Sequence, residues 1–156
     1  MLTVKSAIAG MRLTDMPEIK EFKAEHIDGV YELEKICFSH PWSREDLEAQ
    51  LSIPTSHFAV ALDSGRVVGY MGLQILSGEG YVTNIAVLPE YRRQGIAQSL
   101  IESCAQNKMD FITLEVRKSN LPAIKLYEKA GFENMGIRPR FYTEPEEDAV
   151  IMTRYF

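Results

Sequence analysis

The chain has 156 residues and a formal net charge of −5, with 46% hydrophobic and 25% charged residues. That is the length and composition of one soluble domain with a full core, which sets aside disordered and fibrous chains. No apolar run approaches the roughly 20 residues needed to span a bilayer. The acidic balance argues against non-specific nucleic-acid binding and would suit a basic peptide partner. Met1 to Gly10 carries an apolar stretch too broken for a secretory signal. Residues 1–17 are therefore read as a loosely ordered extension, residues 18–156 as a single domain, and the location as cytoplasmic.

Glu18 to Lys23 alternates apolar and polar residues and predicts a first strand. After Asp28, the spacing of Val30, Leu33 or Glu34, and Cys37 marks one face of a helix. Pro41-Trp42-Ser43 breaks it, and Ser43 caps a second helix to about Leu51, with Asp46 as the partner three residues on. Phe58 to Leu62 and Val67 to Leu76 read as strands joined by the Asp63-Ser64-Gly65 turn. Gly69 and Gly72 inside the second of these suggest a bulge or a close backbone approach. Tyr81 to Leu88 is the next strand, Ile96 to about Asn107 a helix, and Phe111 to Val116 a further strand. Ser119 or Asn120 caps a short helix with Pro122 in its first turn, and Gly131 closes it. Two strands around an acidic loop, Glu144 to Asp148, complete the chain. The order predicts an α/β sandwich, a mixed central sheet of about seven strands flanked by about four helices.

Cys37 and Cys104 are far apart in sequence and sit among apolar residues, which fits buried thiols better than a disulfide. His26, His40 and His57 have no metal-ligand spacing with each other or with the cysteines, so no metal is expected.

The segment Asn84 to Ala97 carries the strongest functional signal. An apolar strand runs into Pro89, a basic turn with Arg92, Arg93 and Gly95, and a helix start. The first N–H groups of a helix lack internal partners and lie at the positive end of its dipole, and a glycine lets a phosphate approach. The turn has neither the Gly-Lys-Ser/Thr ending of a Walker loop nor a Gly-x-Gly-x-x-Gly fingerprint. It reads equally as an ordinary connection with two solvated arginines.

Arg92-Arg93-Gln94-Gly95-Ile96-Ala97 resembles the pyrophosphate loop of the GNAT N-acetyltransferases, with Ala97 where many relatives carry a second glycine. Leu114-Glu115-Val116-Arg117, followed by Asn120, Ala123, Leu126-Tyr127 and Gly131-Phe132, is similar to the C-terminal half of that family. Phe38 to Ser43, Arg138 to Tyr142 and Glu147 to Met152 look like its bacterial branch of ribosomal-protein alanine N-acetyltransferases (RimI). The resemblance covers Glu18 to the C-terminus. It implies a GNAT-like sandwich using acetyl-CoA as co-substrate and acetylating a protein N-terminus, that of a ribosomal protein.

By that resemblance Glu115 would accept the acceptor's proton and Tyr127 would protonate the leaving thiolate. Backbone groups of Ile85, Ala86 and Val87 would pair with the pantetheine arm, Arg92 to Gln98 would hold the pyrophosphate, and Asn120 would contact the cofactor. Trp42, Arg138 and Tyr142, with Arg140 and Phe141 beside them, would shape the acceptor site. Each position also has a plainer reading. Glu115 and Arg117 share a strand face and could be a surface pair. Tyr127 could be core, Asn120 only a cap, and the arginines solvated. Two other functions fit the same motifs: acetylation of a small amine or lysine side chain, or cofactor binding without catalysis. Turnover and acceptor preference would separate them.

Overall fold

The computed structural model describes residues 16–156. The expected N-terminal extension, residues 1–17, lies outside the described residues apart from Met16 and Pro17. Seven strands form one sheet in the order β1-β2-β3-β4-β5-β7-β6. They are β1 (Glu18–Glu21), β2 (Ala59–Asp63), β3 (Arg66–Leu76), β4 (Glu79–Val87), β5 (Phe111–Arg117), β6 (Glu133–Thr143) and β7 (Glu146–Tyr155). The helices are α1 (Ile27–Cys37), α2 (Arg44–Gln50), α3 (Ile96–Cys104) and α4 (Leu121–Lys129). All strand pairs are antiparallel except β4 with β5.

The helices divide between the two faces, and neighbouring strand residues show how. Tyr70 of β3 meets Glu34 of α1, whereas the Cβ position of Gly69 faces Ile96 and Leu100 of α3. Successive strand residues point to opposite faces, so α1 and α3 cover opposite sides. The end of α4 lies on the α3 side. Arg154, which pairs across β7 and β5 with Ile112, donates to Glu102 Oε1 at 2.7 Å and to the Ala130 carbonyl at 3.2 Å. Between the layers Val30, Leu33, Leu47, Tyr70, Met71, Leu100, Ile101, Ile112 and Met152 are essentially solvent-free.

Local chemistry accounts for the element ends. Ser43 Oγ accepts the Asp46 N–H at 3.1 Å and starts α2, and Asn120 Oδ1 accepts the Ala123 N–H at 3.3 Å and starts α4. Ser64 and Gly65 both have positive φ, 49° and 84°, so a two-residue turn joins β2 to β3. Several boundaries differ from the sequence reading. The first strand stops at Glu21, and α1 begins at Ile27 after a 3-10 turn over Ala24–His26. Helix α3 stops at Cys104, because Gln106 and Asn107 bond three residues back, the tighter pattern of a fraying end. The acidic loop shrinks to Glu144-Pro145, since Glu146 and Glu147 pair with Thr143 and Tyr142 in the ladder.

Gly69 and Gly72 serve both purposes that glycine in a strand suggests. The β3–β4 register jumps from Leu73↔Val82 to Gly72↔Asn84, which leaves Thr83 as an extra residue, a β-bulge. A Cβ on Gly72 would fall 2.4 Å from Thr83 Oγ1 and 2.7 Å from the Phe58 ring. Overpacking of this kind typically costs about 1–3 kcal/mol. Gly72→Ala should lower unfolding stability within that range in urea titrations. Wild-type stability would mean that the bulge relaxes freely.

Candidate active site

The parallel pairing of β4 with β5 lasts only three residues, Glu79 to Tyr81 against Phe111 to Thr113. Beyond that point the strands part. β4 continues to Val87 and β5 to Arg117 with their facing edges unpaired, leaving backbone donors and acceptors that need partners. A cleft of about 640 Å³ opens there. Ile85, Ala86, Val87, Arg92, Arg93, Gly95, Ile96, Ala97, Asn120 and Tyr127 all line it. Gln94 and Gln98 stand outside the lining. The Gln94 amide turns back to the Glu90 carbonyl at 3.4 Å.

The mouth is formed by the turn that starts α3. Gly95 caps α3 with φ 82° and ψ 9°, in the left-handed region, and Arg93 also has positive φ (61°). Among the described residues, none of the six consecutive N–H groups from Arg93 to Gln98 donates to a turn or cap carbonyl. Such a run at a helix start favours phosphate oxygens. Arg92 is not freely solvated: its Nε donates to the Val87 carbonyl at 3.0 Å, and Nη2 lies 3.7 Å from Cys37 Sγ. It ties the turn to the end of β4. Arg93 is exposed in the turn.

Tyr127 forms the inner wall. It is buried against Phe132, with ring centroids 5.7 Å apart. Its hydroxyl has no hydrogen-bond partner among the described residues, and the side chain lines the cleft. Burial, with a smaller contribution from Tyr142, pushes the phenol far above its ordinary range, so it stays protonated at any working pH.

Glu115 lies on β5, across the gap from β4 and outside the cleft lining. It projects from the face of β5 opposite buried Leu114 and Val116, toward the side that α1 covers. Arg117 is not its partner, because that guanidinium binds Glu147 at 3.2 Å and the Pro145 carbonyl at 3.0 Å. Instead the Tyr81 hydroxyl donates to Glu115 Oε2 at 2.5 Å, and Arg138 Nη1 lies 3.6 Å from Oε1. The Glu115 side chain is 8% exposed. Burial and the hydrogen bond to Glu115 raise the Tyr81 phenol strongly. Tyr142 is half-buried under the Arg117 guanidinium, 4.2 Å from its ring centroid. Burial and Glu115 raise its phenol in turn, so the fields of Glu115, Tyr142 and Tyr127 overlap.

The remaining candidates sit around this centre. Trp42 stacks on Phe58 with centroids 5.9 Å apart, at the edge of the core. Arg140 pairs with Glu146 at 3.5 Å, and the Arg138 guanidinium lies 5.5 Å from the Phe141 ring centroid. The acidic run is largely engaged within the protein. Glu144 Oε2 lies 3.3 Å from His40 Nε2, Glu147 accepts the Ser119 N–H, and Asp148 accepts the Arg140 N–H. Sequence reasoning missed Tyr81, and it also missed Cys37, Phe38, Tyr91, Pro122, Ala123 and Leu126 in the cleft lining. The helical phase of Cys37, Phe38's place beside Pro41-Trp42, and Ala123 and Leu126 in the C-terminal motif were the signals that pointed to them. Cys37 and Cys104 are free thiols, and burial pushes Cys104 up to about 12. Among the described residues no group of three His, Cys, Asp or Glu side chains could hold a metal ion, and no helix is long and apolar enough to cross a membrane.

Comparison with known proteins agrees with this geometry. Residues 27–132 match the profile of the acetyltransferase (GNAT) family. A Bacillus subtilis protein provisionally named a ribosomal protein bS18-alanine N-acetyltransferase is 37% identical, covering 97% of this chain and 96% of its own. The Escherichia coli protein named for the same activity is 31% identical over 88% of this chain and 96% of its own. The crystal structure of the Escherichia coli ribosomal-protein-S18-alanine N-acetyltransferase superposes with a TM-score of 0.81 at 29% identity, covering 90% of this chain and 94% of that one. The chain belongs to the acetyltransferase (GNAT) family and is an N-acetyltransferase.

Proposed function

We propose that the enzyme transfers the acetyl group of acetyl-CoA to the α-amine of a protein N-terminus in the cytoplasm, the alanine terminus of a bS18-type ribosomal protein. The observation that carries this reading is the gap between β4 and β5. It opens a cleft with a helix start at its mouth and Tyr127 in its wall, while Glu115 stands on β5 across the gap from β4, outside the cleft lining. The relatives named for that acceptor match nearly their whole length, which favours a protein α-amine over a small amine.

The residues divide the work as follows. The N–H groups from Arg93 to Gln98 and the Arg93 side chain take the pyrophosphate, and Asn120 borders the same path. The free edge at Ile85 to Val87 pairs with the pantetheine arm as an added strand would, and a free N–H there polarises the thioester carbonyl. Glu115, oriented by Tyr81 and Arg138, takes the ammonium proton of the acceptor, directly or through water. The Tyr127 hydroxyl gives its proton to the sulfur as the carbon–sulfur bond breaks. Trp42, Arg138 and Tyr142 border the acceptor's approach on the α1 side.

A thiol-release assay with three acceptors tests the reading. An alanine-starting peptide should turn over at least tenfold faster, by kcat/KM, than the same peptide with a blocked N-terminus and an internal lysine, or than a free polyamine. Preference for either of the latter would contradict it.

Gly95→Val probes this helix start. The branched side chain disfavours the left-handed backbone and stands where a phosphate would approach. CoA affinity measured by calorimetry should fall at least about tenfold, since a lost hydrogen bond to a charged group is worth about 1.5–3 kcal/mol. A folded variant with unchanged affinity would move the pyrophosphate elsewhere.

A further inference from the structure

Glu34 is fully buried on the inner face of α1, between the core residues Val30 and Leu33 and the cleft residue Cys37. Among the described residues it has no cationic partner. Its Oε1 accepts from the Tyr70 hydroxyl and from Asn84 Nδ2 at 2.7 Å, and the same amide nitrogen reaches the Tyr70 oxygen at 2.9 Å. Its Oε2 is buried without a partner. Taking a carboxyl out of water without a countercharge is costly, and an apolar side chain of similar volume is often at least as stabilising. Fold stability therefore does not explain a glutamate at this position.

Its bonding partner does. Asn84 directly follows the bulge residue Thr83 and directly precedes Ile85, the start of the β4 edge that lines the cleft. The second buried polar atom without a partner, Thr83 Oγ1, belongs to that same bulge. A bulge re-aims the strand beyond it, here Asn84 to Val87, which pairs with β3 on one edge only. The bond from Glu34 to Asn84 links α1, across Tyr70, to the part of β4 that has already left β5.

We infer that Glu34 is a positioning residue. Through Asn84 it fixes the bulge of β4 and so aims the backbone of Ile85 to Val87 at the reacting carbonyl. The inference rests on the reading of this cleft as the acetyl-CoA site. The contribution falls on the reacting carbonyl and not on the pyrophosphate, so it should show in kcat and leave CoA affinity alone.

The test uses Glu34→Leu, Glu34→Gln, Asn84→Ala and the Glu34→Leu/Asn84→Ala pair, each assayed for thermal midpoint, CoA affinity, kcat and KM. Glu34→Leu should keep a thermal midpoint at or above wild type and bind CoA within about twofold, with kcat at least tenfold lower. Glu34→Gln, whose carbonyl can still accept from Tyr70 and Asn84, should recover most of kcat. Asn84→Ala should reproduce the leucine defect, and the pair should be no worse than either single variant. Wild-type kcat in Glu34→Leu or Asn84→Ala would overturn the inference. So would Glu34→Gln as impaired as the leucine variant, since the charge and not the hydrogen bond would then matter. Should Glu34→Leu fail to fold, Asn84→Ala and Glu34→Gln decide by the same criteria. Failure of the wild-type enzyme to bind CoA would instead remove the underlying reading of the cleft.

Discussion

Tyr127→Phe is expected to lower kcat by about 10²–10⁴-fold, the usual range for general acid–base assistance. The argument starts from what the change preserves. The ring stays in place against Phe132 in a wall that is already buried, so packing and thermal stability should hardly move. The lost atom is a hydroxyl with no hydrogen-bond partner among the described residues, on a side chain that lines the cleft. Burial raises its pKa, so it is a proton donor over the whole working range, and the wild-type profile should show no loss of rate from its ionisation below pH 10. A thioester with a more acidic leaving thiol needs the donor less and should shrink the defect. If Tyr127→Phe instead lowers stability and CoA affinity while turnover at saturation persists, Tyr127 is a core residue and nothing more.

Glu115→Gln should cost at least about 10²-fold in kcat/KM at neutral pH and recover partly as pH rises. The amide keeps the shape and can still accept from Tyr81, but it cannot hold the ammonium proton. An α-amine has a pKa of about 7.7–8.0, so roughly a tenth is free at pH 7 and nearly all at pH 9. A variant that must wait for the free amine should therefore gain about tenfold across that interval relative to wild type. A mutant-to-wild-type ratio that stays flat with pH would assign Glu115 to holding the substrate.

The sequence carried the local half of this architecture. The Asp63-Ser64-Gly65 turn, the Ser43 and Asn120 caps, and the alternation that separates Glu115 from Leu114 and Val116 are fixed by neighbouring residues, and the fold reproduces them. The basic glycine turn implied a helix start at Gly95, and Gly95 does cap α3 in the left-handed region. What stayed hidden depends on residues distant in sequence. Helical spacing allowed Leu33 or Glu34 on the inner face, and both are there. The burial of Glu34 makes sense only with Tyr70 and Asn84, 36 and 50 residues on. Tyr81 looked like an ordinary strand residue until β5 brought Glu115 to it across 34 residues. Arg92 read as a loop cation, yet its guanidinium folds back on Val87. The acidic loop between the last two strands likewise finds its partners at a distance or across the hairpin, in His40, Arg117, Arg140 and Ser119.

The most direct test of the account is where the acetyl group goes. The enzyme, incubated with isotope-labelled acetyl-CoA and a basic peptide that begins with alanine and contains internal lysines, should leave one label. Tandem mass spectrometry should find it on the α-amine, and Glu115→Gln and Tyr127→Phe should suppress it. Label on lysine ε-amines, or label on the α-amine that both variants leave at the wild-type rate, would contradict the account.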